Sequence, residues 1–359
     1  MSVFRLTMLP ASEGDCLILS YGPSEKELRH IVVDGGRKAT WPALSDRLKT
    51  IAARGEQVEL LLLTHIDADH IDGLLELAED PAPPLIPKAV WYNGFDQLGT
   101  LTPAGGLQPF GFRAGDDYSK ALAKLGWPVN AAFGGNAIFL DGKPEPFDFA
   151  GLTLTLLSPD TGKLEALRTQ WQKWRDPKPA AGPGTVAAAG IEAFGKRPFP
   201  AVLDVEKLYK ASSLDKTAPN GSSIAIIAEY AGRRVLLGAD AHPDLILKSL
   251  EALMDGHGPC HIDLVKLPHH GSRANVTKEI LELLDCGRFA ISTSGAVFGH
   301  PDPEAIARIL KFCPVDERIL YFNYASERTT PWNAEDLRTQ YNYSCAFPSD
   351  PAGGISIDV

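Results

Sequence analysis

The sequence predicts an α/β (α+β) fold in which mixed β-sheets are covered by outer helices. Short apolar runs rich in β-branched residues recur along the 359 residues, bounded by Gly, Pro and Asp. Helical patterns separate some of these runs. The first runs follow one another across turns, as in hairpins, and the later ones alternate with helices. That order suits mixed sheets better than a purely parallel one.

Taken in chain order, the runs that read as strands are 3–9, 16–21, 31–33, 58–63, 89–92, 152–157, 223–230, 234–237, 262–267, 289–293, 319–322 and 354–357. Helical periodicity covers 41–54, 71–79, 119–125, 243–254, 276–284 and 303–312. Two segments read as insertions into a single domain spanning 1–359. Residues 94–146 are rich in Gly, Pro and aromatics. Residues 161–218 hold a charged helical stretch (163–175), a Pro/Ala/Gly run (177–190) and a basic-aromatic piece (194–209). Long irregular insertions serve as functional lids or as mobile loops.

Apolar residues make up 44% of the chain, which supports a sizeable core, and charged residues 22%, which argues against disorder. The net charge of -10 excludes broad duplex binding through a basic surface, though not a local basic groove or positive charge supplied by metal ions. Five scattered cysteines (Cys16, Cys260, Cys286, Cys313, Cys345) form no CxxC pair and read as buried thiols in a reducing compartment. Residues 1–12 lack a basic segment followed by a long apolar one, and no apolar run reaches the ~20 residues of a membrane helix. A soluble, cytoplasmic protein with no membrane association is expected.

The most informative stretch is 60–73, where an apolar strand runs into five ionisable residues: His65, Asp67, Asp69, His70 and Asp72. Burying such a cluster without a cation is costly, and a divalent metal turns that cost into coordination energy. In a loop leaving a strand, His65 and Asp67 can face one ion, and Asp69 and His70 a second. Gly73 lets the following helix pack closely. The bland alternative is a solvated loop with a helix cap at Asp67 or Asp69. Asp240 ends another strand at a small-residue turn, where a carboxylate can bridge two metals or merely cap. His269 and His270 follow a third strand and precede Gly271-Ser272. His300, before a helix, reads as a substrate-binding or proton-donating residue, or as part of a structural turn.

The motif His65-x-Asp-x-Asp-His-x-x-Gly73 resembles the metal signature of the metallo-β-lactamase superfamily. Asp67 stands where most members have His, and this resembles the ComEC-like branch, related to the hydrolase domain of bacterial competence proteins. Glu13-Gly-Asp-Cys16, Val33-Asp-Gly-Gly36, Asn220-Gly-Ser-Ser223, Leu236-Leu-Gly-Ala-Asp240, Pro268-His-His-Gly-Ser272 and Gly299-His-Pro301 resemble further family features in order. The resemblance implies an αββα sandwich of two mixed β-sheets flanked by helices, with the metal site at one edge. It also implies two divalent ions, Zn or Mn. Metal 1 takes His65, Asp67 and the bridging Asp240; metal 2 takes Asp69, His70, Asp240 and His270, while His269 faces the substrate. The strand 152–157 ends in Ser158-Pro-Asp where many members have a ligand His, so site 1 is expected to be completed by water or Asp160.

Two such metals lower the pKa of water from 15.7 towards about 7 and supply a hydroxide nucleophile at neutral pH. Asp69 and His269 are the expected catalytic residues, and Ser272 and His300 the substrate contacts. The oxygen-rich site 1 favours a harder ion such as Mn. The expected activity is phosphodiester hydrolysis, on nucleic acid or a smaller phosphodiester. Trp171, Lys173, Trp174, Arg175, Lys196, Arg197, Phe199, Lys207 and Tyr209 can hold a single strand by stacking and charge, or simply form an amphipathic helix and loop. Alternatives are a lactone, thioester or amide hydrolase, and a non-catalytic metal-stabilised binding or defence-system component.

Overall fold

The computed structural model describes residues 1–99, 111–176 and 198–359. Among these residues a six-stranded and an eight-stranded sheet pack face to face. The first runs, in order, Ile355–Asp358, Val3–Met8, Leu17–Gly22, Arg29–Val33, Gln57–Leu62 and Val90–Trp91. Its pairing is antiparallel up to Arg29–Val33 and parallel beyond. The second runs Tyr343–Ala346, Arg318–Phe322, Arg288–Ile291, Leu264–Lys266, Arg233–Leu237, Ala225–Tyr230, Leu152–Ser158 and Pro146–Phe149. Its first five strands are parallel and the rest antiparallel. Both sheets are therefore mixed, with a hairpin portion and a crossover portion.

Alternation along the strands builds three apolar layers. Leu60 and Leu62 face inward with Phe4, Leu6 and Ile31, against Leu154, Ile226, Val235 and Leu264 of the other sheet. Leu61, Ile18 and Val32 face outward beneath the helices Trp41–Ala53 and Ala68–Glu79, where Leu44, Leu48, Ile71 and Leu74 meet them. On the far side, Ile227, Leu236, Val265 and Phe289 lie beneath Pro243–Met254, Lys278–Leu283 and Pro303–Phe312. The period of two in the strands and the apolar stripes of the helices thus give four layers, the αββα sandwich.

The expected elements fall within a few residues of those seen, with informative exceptions. The helix expected from 71 begins at Ala68, so Asp69 and His70 lie in its first turn. The helix expected from 119 begins at Phe112. The strands Pro146–Phe149 and Tyr343–Ala346 were not expected; they are the two edges of the eight-stranded sheet. No helix among the described residues is long and apolar enough to cross a membrane.

Candidate metal centre

Parallel pairing sets neighbouring strand ends side by side. Arg29–Val33 and Gln57–Leu62 are parallel, so Asp34 and the Thr64–His65 turn leave their sheet together. Arg233–Leu237 and Leu264–Lys266 are parallel in the other sheet, so Asp240 and the His269–His270 pair leave together. His269 N–H donates to Ala239 O at 2.7 Å and ties the two turns. The helix Ala68–Glu79 is seated on the first pair of strand ends by Gly73. A Cβ there would stand 2.0 Å from Gly35 O, and Gly35 N–H donates to His70 O at 2.7 Å. Asp67 occupies the N-cap position, yet its side chain makes no capping bond, so capping does not account for its carboxylate.

Four imidazoles converge on one carboxylate. The Nε2 atoms of His65, His70 and His269 lie 3.8, 3.5 and 3.6 Å from Asp240 Oδ2, and that of His270 lies 3.6 Å from Asp240 Oδ1. All five residues are buried. Each imidazole is pinned through its other nitrogen. His65 Nδ1 meets Thr64 Oγ1 at 3.1 Å, and that hydroxyl donates to Asp34. His70 Nδ1–H donates to Asp34 Oδ2 at 2.7 Å, and His270 Nδ1–H to Ser292 O at 2.9 Å. His269 Nδ1–H donates to Asn275 Oδ1 at 2.9 Å, and Asn275 Nδ2 in turn donates to Ala241 O. These bonds fix the tautomers and aim four Nε2 lone pairs at the same space.

Asp69 Oδ2 lies 3.7 Å from His270 Nε2, and Asp67 Oδ2 3.8 Å from His65 Nε2. Ligand atoms of His65, His70 and Asp240, and of Asp69, His70 and His270, lie within 4.8 Å of one another. With metal–ligand bonds of 2.0–2.2 Å, two ligands of one tetrahedral ion stand about 3.4 Å apart. These separations are too long for good hydrogen bonds and suit shared ligation. His65 Nε2 and Asp240 Oδ1 are buried with no hydrogen-bond partner, and His70 Nε2 faces His270 Nε2 at 3.2 Å. The donor set therefore fits divalent metal.

The electrostatics agree. Burial pushes the His65 imidazole down to about 3, helped by His70. Desolvation, with the Asp69 charge, raises Asp67 to about 7. For His70 burial opposes charge, but Asp240 and Asp34 outweigh it and hold its pKa well above the ordinary value. For Asp240 burial is outweighed by His269, His270 and His70, which hold its carboxyl well below the usual range. The lone pairs that hold a proton in this cluster are those a cation would take. Of the fixed cations nearby, Lys266 is paired with Asp15 at 2.5 Å and Arg37 with Glu13 at 2.6 Å.

The remaining expected residues are placed as follows. Ser272 is buried, and its Oγ accepts from Ala274 N–H within the turn after the histidine pair. His300 is buried with its ring 5.3 Å from that of His269. Ser158 Oγ donates to Ser223 O at 2.7 Å, and Asp160 Oδ1 accepts from Lys163 N–H as the N-cap of the helix Thr161–Arg175. Asp160 thus serves a helix end, and it is in none of the close donor groups found among the described residues. Trp171 does not offer a stacking face. It is fully buried, stacked on Phe112, and its Nε1–H donates to Asp116, which also pairs with Arg175. Lys196 and Arg197 lie outside the described residues. Sequence reasoning missed Lys266, Asn275, Asp215 and the direct roles of Asp15 and Asp34. The signal for Lys266 was a lysine inside an apolar strand, and that for Asp34 a carboxylate at the end of one.

The family model described as the metallo-beta-lactamase superfamily matches residues 25–124, which include His65, Asp67, Asp69 and His70. No curated protein matches the sequence. Among solved structures, the chain is similar to the metallo-beta-lactamase fold protein YhfI from Bacillus subtilis, at 10% identity and a TM-score of 0.40 with all of both chains covered. It is also similar to Zn(2+)-bound PqqB from Methylobacterium extorquens, at 12% identity and a TM-score of 0.43, covering 99% of this chain and 100% of the other. A long form RNase Z from yeast matches at 11% identity and a TM-score of 0.35, covering 97% of this chain and 45% of that one. The two mixed sheets with helices on both outer faces are the metallo-β-lactamase fold, and the stretch that matches the superfamily's model is the one that carries His65 to His70.

Proposed function

We propose that the chain is a metal-dependent hydrolase of the ComEC-like branch of the metallo-β-lactamase superfamily, acting on phosphodiester bonds with two divalent ions, Zn or Mn. The observation that carries this reading is the convergence of four imidazole Nε2 atoms on the Asp240 carboxylate. His65, Asp67, Asp69, His70, Asp240 and His270 would hold the ions. Once bound, the ions supply Lewis acidity towards a phosphoryl oxygen and lower the pKa of water.

The protein's own residues do the rest. Asp69 sits at the positive end of the helix Ala68–Glu79, beside His270, where its carboxylate would orient a water by accepting a hydrogen bond from it. The closely packed imidazoles and the apolar layers behind them exclude bulk water, which strengthens each interaction with developing charge. Ser272, whose N–H donates to His269 O at 2.7 Å, and His300, whose ring lies 5.3 Å from that of His269, would contact the substrate. A cavity of about 360 Å³ is lined by Lys163, Lys216, His242, Asp215 and Asp244, among others. Asp215 Oδ2 is 3.3 Å from His269 Nδ1, so the cavity adjoins the centre through that pair, and within it Lys163 is paired with Asp244 at 2.9 Å. The scattered, mostly buried cysteines suit a reducing, cytoplasmic location.

The test is turnover of bis-p-nitrophenyl phosphate by Mn- or Zn-loaded protein, set against lactone and thioester panels. Metal-dependent phosphodiester cleavage with little acyl hydrolysis supports the reading. The reverse preference assigns the centre to acyl chemistry, and turnover of neither class by metal-loaded protein points to a binding role.

A further inference from the structure

The helix Pro303–Phe312 carries Ala305, Ile306, Ala307, Ile309 and Leu310 into the core, and among them stands Arg308, only 3% exposed. Burying a guanidinium is costly unless its donors are met. Here the hydrogen bonds go to neutral oxygens on two neighbouring segments. Nε donates to Tyr209 O at 3.3 Å, and Nη2 donates to Lys210 O at 2.6 Å and to Ser212 Oγ at 2.7 Å. Nη1 donates to Arg273 O at 2.6 Å and to Val276 O at 2.7 Å. The planar fork thus ties segment 209–212 to segment 273–276. A lysine, with fewer donors on a point charge, cannot reproduce that span.

Both segments lead to the same imidazole. Asn275 lies between the two carbonyls that Nη1 grips, and its Oδ1 accepts from His269 Nδ1–H at 2.9 Å. Asp215 follows Ser212 closely in the chain, and its Oδ2 stands 3.3 Å from the same Nδ1. The segments also meet directly. Ser212 Oγ donates to Arg273 O at 2.9 Å, Asp215 N–H to Ala274 O at 3.4 Å, and Asn275 Nδ2 to Asp215 Oδ2 at 3.4 Å. His269 Nε2, across the ring, faces Asp240 Oδ2 at 3.6 Å. The aim of that nitrogen is therefore set by whatever fixes Asn275 and Asp215.

We infer that Arg308 is a positioning residue for His269: by stapling segment 209–212 to Arg273 and Val276 it fixes Asp215 and Asn275 along the Nδ1 edge of the ring, and so the direction in which Nε2 points. The catalytic consequence rests on the proposed function, in which His269 faces the substrate, whereas the orientation of the ring does not.

The experiment reads the ring directly. Full-length protein with isotope-labelled histidine, metal-free and Zn-loaded, is compared with its variants by heteronuclear NMR of the imidazoles, the His269 signals being assigned with His269→Gln. Arg308→Lys should move the His269 signals and leave those of His65 and His70, which belong to the other sheet, in place. Asn275→Ala should move the same signals. Lys311→Ala, which cuts an exposed pair between the same helix and Glu206, should move none of them. Turnover of bis-p-nitrophenyl phosphate by metal-loaded Arg308→Lys should fall about 10- to 100-fold, as for a displaced reacting group, and that of Lys311→Ala should match wild type. If Arg308→Lys does not fold, Ser212→Ala, which removes one arm of the clamp, carries the same comparison with a smaller shift. Unmoved His269 signals in the folded variant, or equal shifts at His65, His70 and His269, overturn the inference. Moved His269 signals in a protein whose wild type turns over no phosphodiester uphold the positioning and overturn the proposed function instead.

Discussion

Asp34 Oδ2 accepts a 2.7 Å hydrogen bond from His70 Nδ1, and both side chains are fully buried. The same carboxylate accepts from Thr64 N–H and Thr64 Oγ1, each at 2.7 Å, and Thr64 orients His65. Asp34 therefore aligns two imidazoles from one strand end. Asp34→Ala is expected to weaken metal binding about 10–100-fold and to lower turnover in proportion, because outer partners set ligand orientation. It should also cost about 1–3 kcal/mol for each buried donor left unmatched. Metal titration and urea unfolding measure the two effects separately.

Asp69→Ala and Asp240→Ala are expected to abolish nearly all metal-dependent turnover with the fold retained by circular dichroism. Each removes a carboxylate from among neighbouring imidazoles, where no other group stands at the same place. Wild-type-like rates in either variant would sink the two-metal reading. Chelation of the wild type should lower its melting temperature, since an ion at 100 times its Kd contributes about 2.7 kcal/mol.

Lys266 and Asp15 form a buried ion pair with side-chain exposures of 0% and 1%. Burial would raise the Asp15 carboxyl, but the lysine beside it holds it below the usual range. Lys266→Met leaves that carboxylate uncompensated and should destabilise the protein by about 3–5 kcal/mol. The double variant with Asp15→Leu should recover much of the loss. Denaturant midpoints at matched slope decide this, and an unchanged midpoint in Lys266→Met would refute it.

A Cβ on Gly14 would stand 1.7 Å from Asp69 O. Gly14→Ala therefore forces the loop and the first helical turn apart and shifts Asp69 without touching its side chain. A displacement approaching 1 Å can cost about 10²-fold in rate. Turnover of metal-loaded protein should fall by that order while thermal unfolding stays cooperative.

His30 is buried between Ser20 and Glu56, at 2.9 Å from each, with Arg47 and Arg54 nearby. Burial depresses its pKa below the ordinary 6.5, against the pull of Glu56. The folded state thus prefers the neutral ring, so its contribution is complete above pH 6.5 and is lost as pH falls through the lower folded value. Urea unfolding of wild type and His30→Gln across pH 7.5 to 5 should show a shallower loss in the variant. Equal slopes would rule the assignment out.

Much of this cluster was legible because its ionisable residues stand just beyond strand ends, and strand ends are marked in sequence. Leu60 to Leu63 announce a buried strand, and the polar residues that follow have nowhere neutral to go. The helix start at Ala68 was read three residues late because Asp69 and His70 interrupt the apolar period while still lying on the helix. The edge strands Pro146–Phe149 and Tyr343–Ala346 carry few β-branched residues and pair on one side, so periodicity barely registers them. Asn275 and Asp215 were invisible for a different reason. Nothing about an asparagine or an aspartate in a loop says which imidazole it will hold until the chain has closed around it.

The centre draws on both sheets: His65, Asp69 and His70 come from the first, and Asp240, His269 and His270 from the second. His70 meets His270 across 200 positions, and Asp15 meets Lys266 across 251. A chain emerging from the ribosome cannot assemble this clasp until residue 270 is free, by which time the whole first sheet but its last strand is already made. Under the proposed function, ion capture would then be a late event that reports on the docking of two separately built halves. A translation-arrested fragment ending before residue 240 would carry an intact His65–His70 loop and still lack the partners that make it a binding site.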